Sequence, residues 1–500
     1  MQIIIDAPSL QHEDAQHLLR TTQHALDDLN EFSAHHLRLR LGRSSTESND
    51  SSIRATTSQH EDEEVALTVN IKLVEGISTT IVNLEPHSML LDVSYATSQV
   101  PSTSSSSSAL ANTIANTLQE MFAEEQVSIA YILAEGQTSG NGHHSLTGFG
   151  QAPQISQSIP ATRDSRNGVA RIISSELATK LSRRTTRAVK YAPLYHITIS
   201  LFTSGASPSS WDIESAIDEY FAPLLESFSV SNFTIDTQVQ LYAKFSPSVQ
   251  PPKYDEAMGA WTLRLEDLSG FINAAEWPLG PSIGTGPTLN FIVYVPDKSM
   301  SPLLVEGSYA NSWLIPQWGC VTILNLPDTK SESLPASLAL GKESIRPALL
   351  TFSHQLLSLL GAPESPPSFP LQLQTLTRVR AASLLLSASS TMGSLARLTV
   401  ALPSIAIPET VAIAVNSTLS HLRETCTHLR DGKFRAALDH ARVAEAEAEK
   451  GFFEKSMVGM VYFPDEHKVA VYLPLLGPIG VPLLMSAVKE LRRLWAMIRS

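Results

Sequence analysis

Apolar and polar positions along this chain change period twice, and each change predicts a different kind of element. Leu18, Leu19, Leu26, Leu29 and Phe32 recur at helical intervals, which predicts a helix over residues 7–41. The apolar burst Ile3–Ile5 ahead of it is cut short by Asp6, too brief for a signal peptide or a membrane span. Residues 43–64, rich in Ser, Thr and acids, read as an exposed loop. From Val65 to Val74 the pattern VALTVNIKLV alternates as a strand does, with Ile77–Leu84 and Met89–Val93 as pairing partners. A serine tract, Ser102–Ser108, predicts a linker and then the cap of a helix to about Phe122. Val127–Leu133 reads as a short buried strand and 135–165 as a loop, followed by a helix over Arg171–Arg187.

The strand LYHITISLFTS (Leu194–Ser204), an amphipathic helix over Trp211–Phe228 and a strand over Phe233–Ala243 form a unit of crossover length, which allows the two strands to pair in parallel. Further strands are expected near Trp261–Leu265, Leu289–Pro296 and Cys320–Leu324. From about Ala339 the period becomes helical, over 339–360, 369–388, 405–429 and 431–450. The fold class is therefore α/β: a mixed-sheet body over 1–338 and a helical segment over 339–455.

The last fifty residues break this pattern. From Val469 to Val488 no residue carries a formal charge; about 20 helical residues cross a hydrocarbon core. A transmembrane helix is expected there, with a membrane-proximal segment at 456–468 and a tail at 489–500. Pro474, Pro478 and Pro482 recur every four residues and so lie on one drifting stripe of a helix. Each removes the donor for a carbonyl four residues earlier, at Ala470, Pro474 and Pro478, a loss better tolerated in a membrane helix than in a water-soluble one. The alternative is a buried core helix with an amphipathic extension. Lys489, Arg492, Arg493 and Arg499 follow the run, so the positive-inside rule places the tail in the cytosol and the preceding chain in the lumen. That topology implies a first membrane helix ahead of residue 1.

Composition narrows the function. A net charge of −13 and no long basic block argue against nucleic acid as a partner. Cys320 and Cys426 are too few for a disulfide scaffold or a cysteine-based zinc site. The histidines at 12, 17, 24, 35 and 36 lack the spacing of a zincin, and Arg183, Arg184 and Arg187 read as a solvated face before a phosphate site. No nucleophile elbow, phosphate-binding loop or dinucleotide fingerprint is present, and no cofactor is called for. A Cys320-based hydrolase with a C-terminal anchor is the rival reading. Asn49, Asn232 and Asn416 each open an N-x-Ser/Thr glycosylation sequon. Trp313, Pro316, Gln317 and Trp318 have two readings, an exposed contact with another subunit or core filling beneath a sheet.

Three blocks, LNFIVYVPDKSMSPLLV (Leu289–Val305), NSWLIPQWGCVTILN (Asn311–Asn325) and Glu454–Leu491, together resemble the PIG-S family, the S subunit of the glycosylphosphatidylinositol (GPI) transamidase complex. The resemblance implies a two-span protein of the endoplasmic reticulum membrane with a large luminal domain, the run 469–488 matching the second span. It implies a non-catalytic subunit of an enzyme that replaces a C-terminal signal with a GPI lipid. The catalytic Cys–His pair then sits on a caspase-like partner subunit, and the membrane and the GPI lipid are further partners. Where that family often shows Trp-Gly-Gly, this chain has Trp318-Gly319-Cys320, a difference that assigns no nucleophile.

Overall fold

Alternation in the first hundred residues builds a one-sided sheet. Ile3, Ile5, Leu39, Leu67, Val69, Ile71, Leu91, Val93 and Tyr95 are buried in one cluster. They sit on β1 (Gln2–Asp6), β2 (Arg38–Leu41), β3 (Val65–Leu73) and β5 (Leu90–Tyr95), with β4 (Ile81–Leu84) at the edge. The order is β2-β1-β3-β5-β4, parallel throughout except for the outer β4–β5 pair. Two helices, α1 (His12–Leu29) and α2 (Ala109–Ser139), cover this cluster through Leu18, Leu26, Leu110, Ile114, Leu118 and Phe122. The computed structural model describes residues 1–29, 37–42, 65–99, 108–139, 187–228, 231–243, 250–272, 286–326, 339–402, 405, 407–457 and 465–499.

Two local expectations change here. Of the helix expected over 7–41, α1 forms and Arg38-Leu39-Arg40-Leu41 instead alternates and pairs with β1, while residues 30–36 lie outside the described residues. The apolar burst Ile3–Ile5 is an inner strand of the sheet, between β2 and β3. Val127–Leu133, expected as a strand, continues α2, because a short apolar run does not separate a core strand from a segment of helix. Of the segments read as loop or helix between 135 and 187, residues 140–186 lie outside the described residues, as do 43–64.

The second sheet contains β6 (Leu194–Thr203), β8 (Asn232–Gln240), β11 (Thr288–Val295), β13 (Ser312–Ile315) and β14 (Gly319–Ile323), in the order β13-β14-β11-β6-β8. β6 and β8 pair in parallel, as their crossover length allows. The crossover is two short helices, α3 (Ile213–Tyr220) and α4 (Ala222–Ser227), because Pro223 restarts the chain as a new helix. One face packs on α3 and on α5 (Lys342–Leu359) through Ile197, Ile199, Phe291, Val293 and Phe352. The other face lies under a small sheet of β9 (Lys253–Asp255), β10 (Ala260–Leu263) and β12 (Leu303–Val305), plus a 3-10 segment at Leu265–Ile272. A two-stranded pair, β7 (Ser210–Trp211) with β15 (Ala339–Leu340), anchors the start of α5.

One long helix, α6 (Phe369–Ala401), joins the two cores: Leu371 belongs to the first, and Leu376, Ala381 and Leu384 to the second. Beneath it, Arg378 clamps Glu125 of α2 with Nε to Oε1 at 2.6 Å and Nη2 to Oε2 at 2.8 Å. Thr375 donates to the same carboxylate at 2.8 Å. Both charges are buried, so each is tolerable only because the other is there. A helical hairpin of α7 (Glu409–Asp431) and α8 (Phe434–Phe452) turns at Gly432, whose φ of 77° suits a residue without a Cβ. Ala437, Ala441, Ala444 and Ala448 line α8 and bring it close to α6. The chain ends in α9 (Asp465–Arg499), for which the side chains at 465–469, 471, 475, 496, 498 and 499 are outside the described set.

Candidate functional site

The feature that departs most from the rest of the fold is α9. Three prolines stand inside it, Pro474, Pro478 and Pro482, all exposed, and the helix remains continuous across them. Leu473 is 69% exposed, Leu484 68% and Trp495 65%, and no described side chain on α9 is fully buried. A core helix would bury one stripe, so the buried-helix alternative does not hold for these residues. Among the described residues no helix is both long and apolar enough to cross a membrane; the apolar residues at 469, 471 and 475 are not among the described side chains. Past the run, Glu490 and Arg493 pair at 3.5 Å on the charged end of the helix.

The aromatic turn between β13 and β14 divides into an inside and an outside. Trp313 and Trp318 are half-buried against the cluster of Phe202, Ile292 and Val321, and Trp313 meets Phe271 edge-on at 5.2 Å. Pro316 and Gln317 are exposed, Gln317 with φ of 59°, a conformation that costs a side-chain-bearing residue free energy. Gly319 follows because a Cβ there would overlap the Asn290 backbone on β11. The two tryptophans thus fill core, and the turn offers Pro316 and Gln317 as its outer surface.

Cys320 faces the core between β14 and α5 and is fully buried. Burial pushes its thiol up to about 12, against a weak opposing contact with Thr322 Oγ1 at 3.9 Å. A nucleophilic cysteine needs a lowered pKa and access, and this one has neither. Cys426 is exposed, and both thiols are free. Asn232 is exposed at the start of edge strand β8 and Asn416 is exposed on α7; Asn49 lies outside the described residues. Among the early histidines, His12 bonds Gln16 at 2.7 Å and His24 pairs with Asp28 at 3.0 Å, while 35 and 36 are outside the described residues. Arg187 pairs with Glu364 at 3.3 Å, and Arg183 and Arg184 are outside the described residues.

Sequence reasoning missed two groupings. The Glu125–Arg378 clamp joins residues 253 positions apart, beyond any local pattern. Its Arg378 lines a cleft of about 390 Å³ together with Met89, Phe369, Leu373 and Phe434. His421 and His440 share a hydrogen bond between their Nδ1 atoms at 2.8 Å, with His428 stacked on His440 at 5.1 Å. Among the described residues no group of histidines, cysteines and carboxylates is arranged to hold a metal ion.

A family-wide sequence profile described as "Phosphatidylinositol-glycan biosynthesis class S protein" matches residues 1–496. The chain is similar to the human "GPI-anchor transamidase component PIGS", 29% identical over 372 residues, covering 68% of this chain and 65% of that protein. It is similar to the "GPI transamidase component PIG-S homolog" of Schizosaccharomyces pombe, 32% identical over 62% of this chain and 55% of the relative. For the "GPI transamidase component GPI17" of Saccharomyces cerevisiae the identity is 27%, over 60% and 58%. The matched part thus spans less than two thirds of the length of these relatives.

Proposed function

The chain belongs to the phosphatidylinositol-glycan biosynthesis class S family, and from that premise we propose that it is a non-catalytic, membrane-anchored subunit of a GPI transamidase. The observation that carries this reading is α9, a helix whose apolar side chains stand exposed, in a chain whose relatives are named as transamidase components. Exposed apolar surface of that extent needs lipid or partner helices around it. The run 469–488 lies in the bilayer of the endoplasmic reticulum, with the α/β body and the helical segment in the lumen and residues 489–500 in the cytosol. The proline stripe presents carbonyls without their usual donor to partner helices or a GPI headgroup. Asn232 and Asn416 are exposed on the luminal body, where they and Asn49 accept glycans. Catalysis belongs to a caspase-like sister subunit, and this chain supplies docking surface.

The test is complementation. In cells lacking their own class S subunit, the full-length protein restores surface display of a GPI-anchored reporter, and the same protein with Cys320→Ala restores it equally. No restoration by either overturns the reading; restoration by the natural sequence alone favours the Cys320 hydrolase.

A further inference from the structure

Two stretches of the helical segment carry no formal charge, LTVALPSIAIP (Leu398–Pro408) and SMVGMVYFP (Ser456–Pro464). The first joins α6 to α7, and the second follows α8 on the way to α9; residues 403, 404, 406 and 458–464 lie outside the described residues. The two stretches meet at one end of the helical hairpin. Leu395 and Leu398 of α6, Ile405 of the connection, Val411 of α7, Phe452 of α8 and Met457 share one small core. Backbone bonds shape the connection over it, from Leu402 N–H to the Leu398 carbonyl at 2.9 Å, from Ile405 to Leu402 at 3.0 Å and from Val411 to Pro408 at 3.0 Å.

Other side chains at this end face outward. Val400 is 79% exposed and Phe453 63%, and Ile407 and Ile413 are exposed as well. Along the hairpin such residues thin out. Leu419 and Val443, near the middle of their helices, are the next, and no described residue between those two is a large exposed apolar one. At the far end Arg430, Asp431 and Arg435 stand exposed around the Gly432 turn. The hairpin is thus charged at one end and apolar at the other. Exposed charges of both signs rim the apolar end: Arg397, Lys450 and Lys455 with Glu409 and Glu449. Apolar side chains gathered inside a polar rim mark an interaction site.

Two features favour lipid as the occupant. The chain leaves for α9 from this end and not from the charged one. Only the 12 residues 453–464 separate α8 from α9, a reach of at most about 45 Å. The exposed apolar residues are Val, Ile and Phe, types that partition into hydrocarbon, and no Trp or Tyr of the kind that anchors protein interfaces stands among the described ones. We infer that this end of the hairpin inserts into the surface of the bilayer that α9 enters. Val400, Ile407 and Phe453 reach about 5–10 Å into the boundary between headgroups and acyl chains, and the rim of both signs lies among zwitterionic headgroups. The inference rests on the proposed function, which places α9 in that bilayer.

The experiment attaches a nitroxide label to one introduced cysteine at a time in the full-length protein carrying Cys426→Ser, reconstituted in phosphatidylcholine vesicles. The positions are Val400→Cys, Ile407→Cys and Phe453→Cys at the apolar end, Asp431→Cys at the charged end and Leu484→Cys in α9, all exposed. Cys320 is buried and stays unlabelled. Collisions with oxygen, which concentrates in lipid, and with a nickel chelate, which stays in water, report the surroundings of each label. Relative to 431, the labels at 400, 407 and 453 are expected to meet the chelate several-fold less and oxygen more, with an unchanged thermal midpoint. Should the midpoint fall at one position, the other two carry the test. Chelate access at 400, 407 and 453 equal to that at 431, with 484 shielded from the chelate, overturns the inference and leaves the proposed function standing. Chelate access at 484 as well overturns both. Labels at 400, 407 and 453 shielded from oxygen and chelate alike would mean that protein covers this end, whether residues 458–464 of this chain or a second copy, and the inference fails.

Discussion

At the scale of single residues, the buried Cys320 thiol gives a sharp pH expectation. Burial holds its folded pKa at about 12, above the ordinary 9.0. A folded pKa raised in this way leaves stability intact below pH 9 and removes it progressively as pH rises toward 12. The full loss is on the order of 4 kcal/mol. Tyr294, raised by burial from 10.0 to about 12, adds a second loss from pH 10 upward. Urea unfolding at pH 8 and pH 10 should therefore show the natural protein losing about 1 kcal/mol more than Cys320→Ala across that interval. Parallel behaviour would show that the thiol is not held neutral by the core. The Glu125–Arg378 clamp gives a second expectation. Glu125→Ala strands a buried guanidinium and should cost about 3–5 kcal/mol, whereas Glu125→Leu with Arg378→Met should be far milder. Equal losses from the two would mean that the ion pair itself, and not the stranded charge, carries the stability.

Elements were legible where their period survived. The strand Leu194–Thr203 and its parallel partner Asn232–Gln240 follow from alternation and crossover length, and the helices after Ala339 follow from their stripes. Val127–Leu133 was not legible, because a short apolar run reads the same on a helix as on a core strand. Arg38–Leu41 was absorbed into a neighbouring helical pattern, since four alternating residues carry too little signal alone. In the candidate site, the prolines of α9 could be placed on one stripe from spacing alone, but the division of Trp313 and Trp318 from Pro316 and Gln317 depends on a turn geometry that no spacing encodes. The stripe carries its own expectation. Replacing Pro474, Pro478 and Pro482 with leucine restores the missing donors and should reduce assembly with partner subunits several-fold while leaving the α/β body's unfolding unchanged. Unreduced assembly would remove the role assigned to the freed carbonyls.

The whole molecule joins two sheets, a helix that threads both cores, and a terminal helix whose described side chains stand exposed or half-buried. The body is held together internally by burial and by the Glu125–Arg378 clamp. The exposed apolar side chains of α9 call for company. A scaffold that positions other subunits in a membrane has this division; an enzyme built around Cys320 does not, because its thiol is sealed in the core. The most direct measurement is quantitative mass spectrometry of the tagged full-length protein isolated in mild detergent from its own membranes. The expected result is a near-stoichiometric set of GPI transamidase subunits, including the caspase-like catalytic one, whereas recovery of the chain by itself or with unrelated proteins would contradict the account.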